Sequence, residues 1–216
     1  KALSQVSDKK QVKIEWKSYI LDPEYVYNPE NPETEVDYIA GRKGISREEA
    51  QQMFASITRM ASMAGLTYDF DKVKAANTLD AHKIIQLANE KNLGDAAEER
   101  FVQAFFVNGE NLDEKETLVK IAREIGLTES EATEALTNDQ YAYEVNNDIR
   151  EAGQIGVRGV PFFVFDRKYG VSGAQSSDTF LQTLEKSFNE WKKANPLTPI
   201  KNLAEGSTCD LDGNCN

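Results

Sequence analysis

GVRGVPFFVFDRKYGVSGAQ, running from Gly156 to Gln175, reads as a β-hairpin in the middle of a sheet. It combines a glycine-flanked Val160-Pro161, four consecutive apolar residues from Phe162 to Phe165, a turn at Asp166-Arg167 and a second short strand. A strand apolar on both faces needs neighbours at its edges and cover above and below. Proline has no N–H to give to a ladder, so in a central strand it can stand only at the first position. Pro161 therefore marks the entry to the strand, and that entry is where function is expected.

Outward from the hairpin, Val12, Ile14, Trp16, Ser18 and Ile20 alternate with Lys13, Glu15, Lys17 and Tyr19. This period of two predicts a half-buried strand over residues 11–20. Pro23, Pro29 and Pro32 then make a loop that can continue neither a sheet nor a helix. Helical grammar follows. Ser46 with Glu49 forms a capping box before a stripe of Met53, Phe54, Ile57, Met60, Ala61 and Ala64, closed by Gly65. Asn77 can cap a helix carrying Ala81, Ile84, Ile85 and Ala88, and Phe101, Ala104 and Phe105 stripe the next, which ends near Gly109. Asp113 with Glu116 and Thr128 with Glu131 predict two further capping boxes, and a last helix of the series runs through Tyr141, Val145, Ile149 and Ala152. No repeat links these helices, which excludes a solenoid. A closing helix holds Phe180, Leu181, Leu184, Phe188 and Trp191 before Asn195-Pro196.

With 216 residues the chain can bury one core plus a helical insert. No run approaches the ~20 apolar residues of a membrane span. A net charge of -11 argues against nucleic acid and anionic lipid as partners, since both reward basic clusters. The two cysteines, Cys209 and Cys215, lie in the last eight residues, and a chain of this size needs no disulfide staples, so a cytoplasmic location is the expectation. The chain starts at Lys1, and its first residues have no signal-peptide character, which leaves the true N-terminus open.

The Val160-Pro161 hairpin resembles the cis-proline loop and closing hairpin of the thioredoxin superfamily. The string GVPFFVF...KYGVSGAQ, with Trp16-Lys17-Ser18-Tyr19, Leu21-Asp22-Pro23, Asn77 to His82 and Phe101 to Asn111, looks most like the FrnE-like branch of the DsbA thiol-disulfide oxidoreductases. The resemblance spans about residues 1–193. It implies an α/β fold, a thioredoxin-like mixed sheet with an inserted all-helical domain. Residues 1–33 and 154–195 would form the thioredoxin-like domain, 34–153 the helical insert and 196–216 a cysteine-containing tail. The family's Cys-x-x-Cys, which follows an opening strand, does not occur in this sequence. Strand and motif are both expected upstream of Lys1, because losing about five core side chains at ~1.5–3 kcal/mol each would consume much of a domain's stability.

The resemblance further implies a cis Val160-Pro161 bond, with the Val160 backbone pairing to an extended substrate and Pro161 beside the redox cysteines. It makes Cys209 and Cys215, in CDLDGNC, a second redox pair; two solvated thiols on a flexible tail are the alternative. The substrate would be a disulfide-containing protein or small thiol, and no cofactor, metal or nucleotide is required. Zinc is disfavoured because two cysteines and the single distant His82 do not assemble four ligands. A second reading is a glutathione-dependent isomerase or transferase like the 2-hydroxychromene-2-carboxylate isomerases, in which serine replaces the first redox cysteine. A third is a peptide-binding module without redox function. His82 reads as a packed or structurally hydrogen-bonded residue before it reads as a base. Phe101, Phe105 and Phe106 with Met53, Met60 and Met63 read first as helical core and second as a peptide groove.

Overall fold

The computed structural model describes residues 2–6 and 9–196. The chain divides into two compact units, Val12–Val160 and Lys1–Gln11 with Pro161–Asn216. In the first unit, seven α-helices follow the proline loop: α1 Glu35–Lys43, α2 Arg47–Met63, α3 Leu79–Glu90, α4 Gly94–Val102, α5 Lys115–Glu124, α6 Glu129–Thr137 and α7 Asp139–Gln154. Polar caps set where most of them start. Thr34, Ser46, Thr128, Asn138 each accept a hydrogen bond from the first turn of the helix that follows. Ser46 with Glu49 and Thr128 with Glu131 form complete capping boxes, as their spacing predicts.

The expected box at Asp113 and Glu116 is replaced. The helix begins one residue later, after Glu114, with no side-chain cap. Asp113 Oδ2 instead accepts the backbone N–H of Asn77 at 2.7 Å, so a tertiary donor takes the carboxylate that local grammar assigned to the helix. Asn77 Oδ1 accepts from Leu79 N–H at 3.1 Å, and its amide reaches the carbonyl of Tyr25 at 3.0 Å. The N-cap position itself is Thr78, without a side-chain cap bond, and Asn77, expected as the cap, stands one residue earlier and ties the proline loop to the start of α3. Helix α1 had no place among the predicted apolar stripes. Its signal is the cap itself, Thr34 ahead of Glu35 and Asp37, with Gly44 in the left-handed region at its end.

Two apolar clusters hold this unit together. The larger joins Ala81, Ile84, Ile85 and Ala88 of α3 to Ala97 and Phe101 of α4, Leu118, Ile121 and Ala122 of α5, and Ala132, Ala135 and Leu136 of α6. The many alanines let helix axes approach closely while the leucines and isoleucines fill the layers between them. The smaller packs Val36, Ala40 and Ala50 with Phe70 and Val73, against Phe54, Phe105 and Phe106. After α4 the backbone widens into a π-turn over Gln103–Asn108. That extra residue per turn swings Phe106 onto Tyr68 and Phe70, with Phe105 edge-on to Phe106, and Tyr68 stacks on Phe106 with centroids 4.8 Å apart.

In the second unit, β1 Phe162–Phe165 pairs antiparallel with β2 Tyr169–Ser172, and α8 Ser177–Ala194 follows from the cap Ser176. Two sequence expectations need correcting here. Residues 12–20 form no strand. Alternation favours a strand only when another strand offers a ladder; here the Ser18 N–H is taken by the Asp148 carboxylate, and Ile14 and Trp16 stay 52% and 39% exposed. Nor is β1 buried on both faces, since Phe163 and Val164 are 37% and 47% exposed. Among the described residues β1 has β2 as its one neighbour, so its other edge and one face lack the cover that its composition suits.

Candidate functional site

Helix α7 ends at Gln154, Gly156 with its φ of +84° then turns the chain away, and Val157 N–H closes the turn on the Ala152 carbonyl at 2.9 Å. From Gly156, four residues bring the chain to Val160, 46% exposed and the last residue of the helical unit. Pro161 opens the second unit and is also exposed. Its carbonyl accepts the Gly173 N–H at 2.8 Å, which extends the hairpin ladder one step beyond β1 and fixes the direction in which the strand enters. Asp166 and Arg167 make the far turn with φ of +49° and +54°. Both central residues are therefore left-handed, the turn that matches the twist of two paired strands.

One face of the hairpin is anchored. Phe163 meets Phe180 of α8 edge to face with centroids 4.6 Å apart, and Val171, its cross-strand partner, is 8% exposed. At the turn end, Tyr169 donates its hydroxyl to Glu190 at 2.6 Å, Lys168 pairs with the same carboxylate, and Lys186 stands 4.6 Å over the Tyr169 ring. The opposite face carries Phe162, Val164, Gly170 and Ser172. There the Phe162 ring lies so close over Gly170 that a Cβ at that position would sit 2.8 Å from its tip. The hairpin is thus a two-stranded platform anchored on one face, whose outer edges have no strand partner among the described residues, and an exposed Val-Pro peptide leads into it.

The other sequence candidates fall elsewhere. Cys209 and Cys215 lie outside the described residues. His82 stands in the first turns of α3, hydrogen-bonded to the backbone of Tyr19, with Nδ1 enclosed and without a partner among the described residues. Burial pushes it down to about 4, against the upward pull of the Tyr19 bond and of Asp148. The neutral ring is the form that this burial favours. Phe101 is core, 4% exposed, and Phe105 and Phe106 belong to the aromatic cluster, whereas Met53, Met60 and Met63 are 43%, 55% and 81% exposed on α2. The six do not share a groove. Among the described residues no group of three or more acidic, histidine or cysteine side chains could hold a metal ion, and no helix is long and apolar enough to cross a membrane.

A junction that sequence reasoning missed clamps residues 17–19 between α3 and α7. Asp148, 8% exposed, accepts from Ser18 N–H at 2.9 Å and from the Gln86 amide at 2.7 Å, and pairs with Lys17 at 3.1 Å. Gln86 also donates to Ser18 Oγ at 3.0 Å. The signal was present, since Asp148 falls three residues after Val145 and four before Ala152 on the apolar stripe of α7. A carboxylate at a core position has to find donors.

The model of the DSBA-like thioredoxin domain family matches residues 1–185. The chain belongs to that family. Among solved structures, this DSBA-like thioredoxin domain is similar to the crystal structure of the probable DsbA oxidoreductase SCO1869 from Streptomyces coelicolor. They share 32% identity with a TM-score of 0.79, over 100% of this chain and 88% of that one. It is also 26% identical, over 187 residues, to the uncharacterized protein YwbO of Bacillus subtilis (strain 168), covering 85% of this chain and 84% of that protein. The DSBA-like assignment fits the α/β layout, in which a helical unit is inserted ahead of a hairpin and closing helix.

Proposed function

We propose that this protein is a thiol-disulfide oxidoreductase of the FrnE-like branch of the DsbA family, acting on disulfides of proteins or small thiols. The observation that carries the reading is the exposed Val160-Pro161 peptide leading into β1, whose second edge has no strand partner among the described residues. The Val160 backbone would pair with an extended substrate segment as an added strand. Pro161, with its peptide bond to Val160 in the cis form, would lie beside the redox pair, a Cys-x-x-Cys on a helix N-terminus upstream of Lys1.

The chemistry needs no cofactor. A low-pKa thiolate attacks one sulfur of the substrate disulfide and expels the other as a thiolate, which takes a proton. The second cysteine then attacks the mixed disulfide, so the substrate leaves as a dithiol and the enzyme retains a disulfide. The reverse sequence oxidises a substrate dithiol. Cys209 and Cys215 would exchange with that pair and relay the two electrons onward.

Insulin reduction by the full-length natural protein, with thiol alkylation followed by intact mass, tests this. Turnover together with four alkylatable cysteines is expected. Pro161→Ala should lower turnover by an order of magnitude while the unfolding midpoint moves little, and Cys209→Ser with Cys215→Ser should slow only re-oxidation. A serine at the first redox position with activity dependent on glutathione would move the protein to the isomerase reading, and an inert protein with two cysteines to a binding module.

A further inference from the structure

The three methionines of this chain, Met53, Met60 and Met63, all lie on α2. Neither apolar cluster contains one, so the packing described above is carried by alanine, valine, leucine, isoleucine and aromatic side chains. Helix α2 turns Ala50, Phe54 and Ala61 inward. At ~100° per residue, Met53, Met60 and Met63 leave the helix axis at about 80°, 100° and 160° from that inward direction. Their exposures rise in the same order, 43%, 55% and 81%. Helix geometry therefore sets the three thioethers progressively further into water.

An accessible thioether is open to two-electron oxidation. Its sulfur lone pair attacks one oxygen of a hydroperoxide, an S–O bond forms as the O–O bond breaks, and the departing oxygen takes a proton to leave as water or an alcohol. In a core the polar product disrupts packing, but on this face it displaces no core contact. Hydrogen-bond donors already stand beside it. Ser56, three residues after Met53 and four before Met60, and Arg59, four before Met63, are at the spacings that make neighbours on a helix surface. Both are exposed, and a sulfoxide oxygen accepts a hydrogen bond more strongly than a thioether sulfur does.

We propose that α2 is a reversible oxidation site for hydroperoxides, at which Met53, Met60 and Met63 become sulfoxides on the folded protein and turn an apolar helix face polar. Methionine sulfoxide reductases of the two epimer specificities, drawing electrons from a thiol, return the sulfoxides to thioethers. The site uses no cysteine of this chain and is independent of the thiol-disulfide reading.

Hydrogen peroxide treatment of the full chain, its thiols first blocked with N-ethylmaleimide, followed by peptide mapping, tests the proposal. Met63 should oxidise first, Met60 next and Met53 last, each within about tenfold of the rate of free methionine. Helical circular dichroism and the unfolding midpoint should not change, because all three side chains are exposed. The oxidised protein should elute earlier from a hydrophobic-interaction column, and the two reductases together should restore its retention. A variant combining Met53→Leu, Met60→Leu and Met63→Leu keeps the face apolar without sulfur, and its retention should not respond to peroxide. Oxidation ~100-fold slower than free methionine at all three positions would overturn the proposal. So would unfolding on oxidation, a retention that the reductases fail to restore, or the same peroxide-induced shift in the leucine variant.

Discussion

Ser18 and Asp148, 130 positions apart in the chain, are joined by a hydrogen bond of 2.9 Å from the backbone N–H of one to the carboxylate of the other. The same oxygen accepts from Gln86, so a single buried carboxylate fixes an irregular segment onto two helices. Because that segment has no ladder, the clamp replaces the sheet pairing its alternation predicts.

Asp148→Ala should therefore destabilise the protein by about 2–4 kcal/mol, since it leaves the buried Ser18 N–H and the half-buried Gln86 amide without that acceptor. Lys17 contributes little to that figure, because its side chain is half exposed and water can replace its partner. Asp148→Asn, which keeps an acceptor oxygen, should lose less. Urea denaturation of both variants measures the difference.

His82 gives an acid-side prediction. Its folded-state value of about 4 lies below the ~6.5 of an unfolded chain, so the unfolded state binds the proton first. Stability from the neutral ring is complete above pH ~6.5 and is lost as pH falls towards 4, by up to about 3 kcal/mol. In His82→Gln the loss should be absent. The quantity to measure is the stability difference between the two proteins at pH 7 and at pH 4.5, and an unchanged difference would sink the assignment.

Glu98 behaves in the opposite sense. Burial raises it to about 7, and burial with the neighbouring Glu33 does the same to Glu35. A carboxyl raised in the folded state stabilises below pH ~4.5 and loses that contribution as pH climbs through 7. Glu98→Gln should then be more stable than the parent at pH 8 by about 1–3 kcal/mol, and nearly equal to it at pH 4. Thermal melts at the two pH values decide it.

Gly109 closes the π-turn with φ of +64°, and a Cβ there would stand 2.7 Å from the backbone oxygen of Lys72. Strain and overlap add in Gly109→Ala, for a loss of about 2 kcal/mol or more. The aromatic cluster should loosen with it, visible as faster hydrogen exchange at Asp69 N–H, which bonds to the Phe106 carbonyl at 3.0 Å.

Local chemistry fixed much of this architecture in advance. Ser46 with Glu49 and Thr128 with Glu131 stated where two helices start, the apolar stripes of α3, α5 and α6 stated which faces turn inward, and Gly156 to Gln175 stated a hairpin with Pro161 at its mouth; the stripe of α2 did not, since Met53, Ile57 and Met60 stay exposed. These are decided within one or two turns of chain, so sequence neighbours suffice. The tertiary structure decided the rest. Whether residues 12–20 pair, whether Asp113 caps its own helix or holds Asn77, and whether Phe163 and Val164 are covered all depend on groups far away in sequence. A hydrogen-bond donor or acceptor has one nearest partner, and only the folded chain determines which residue brings it.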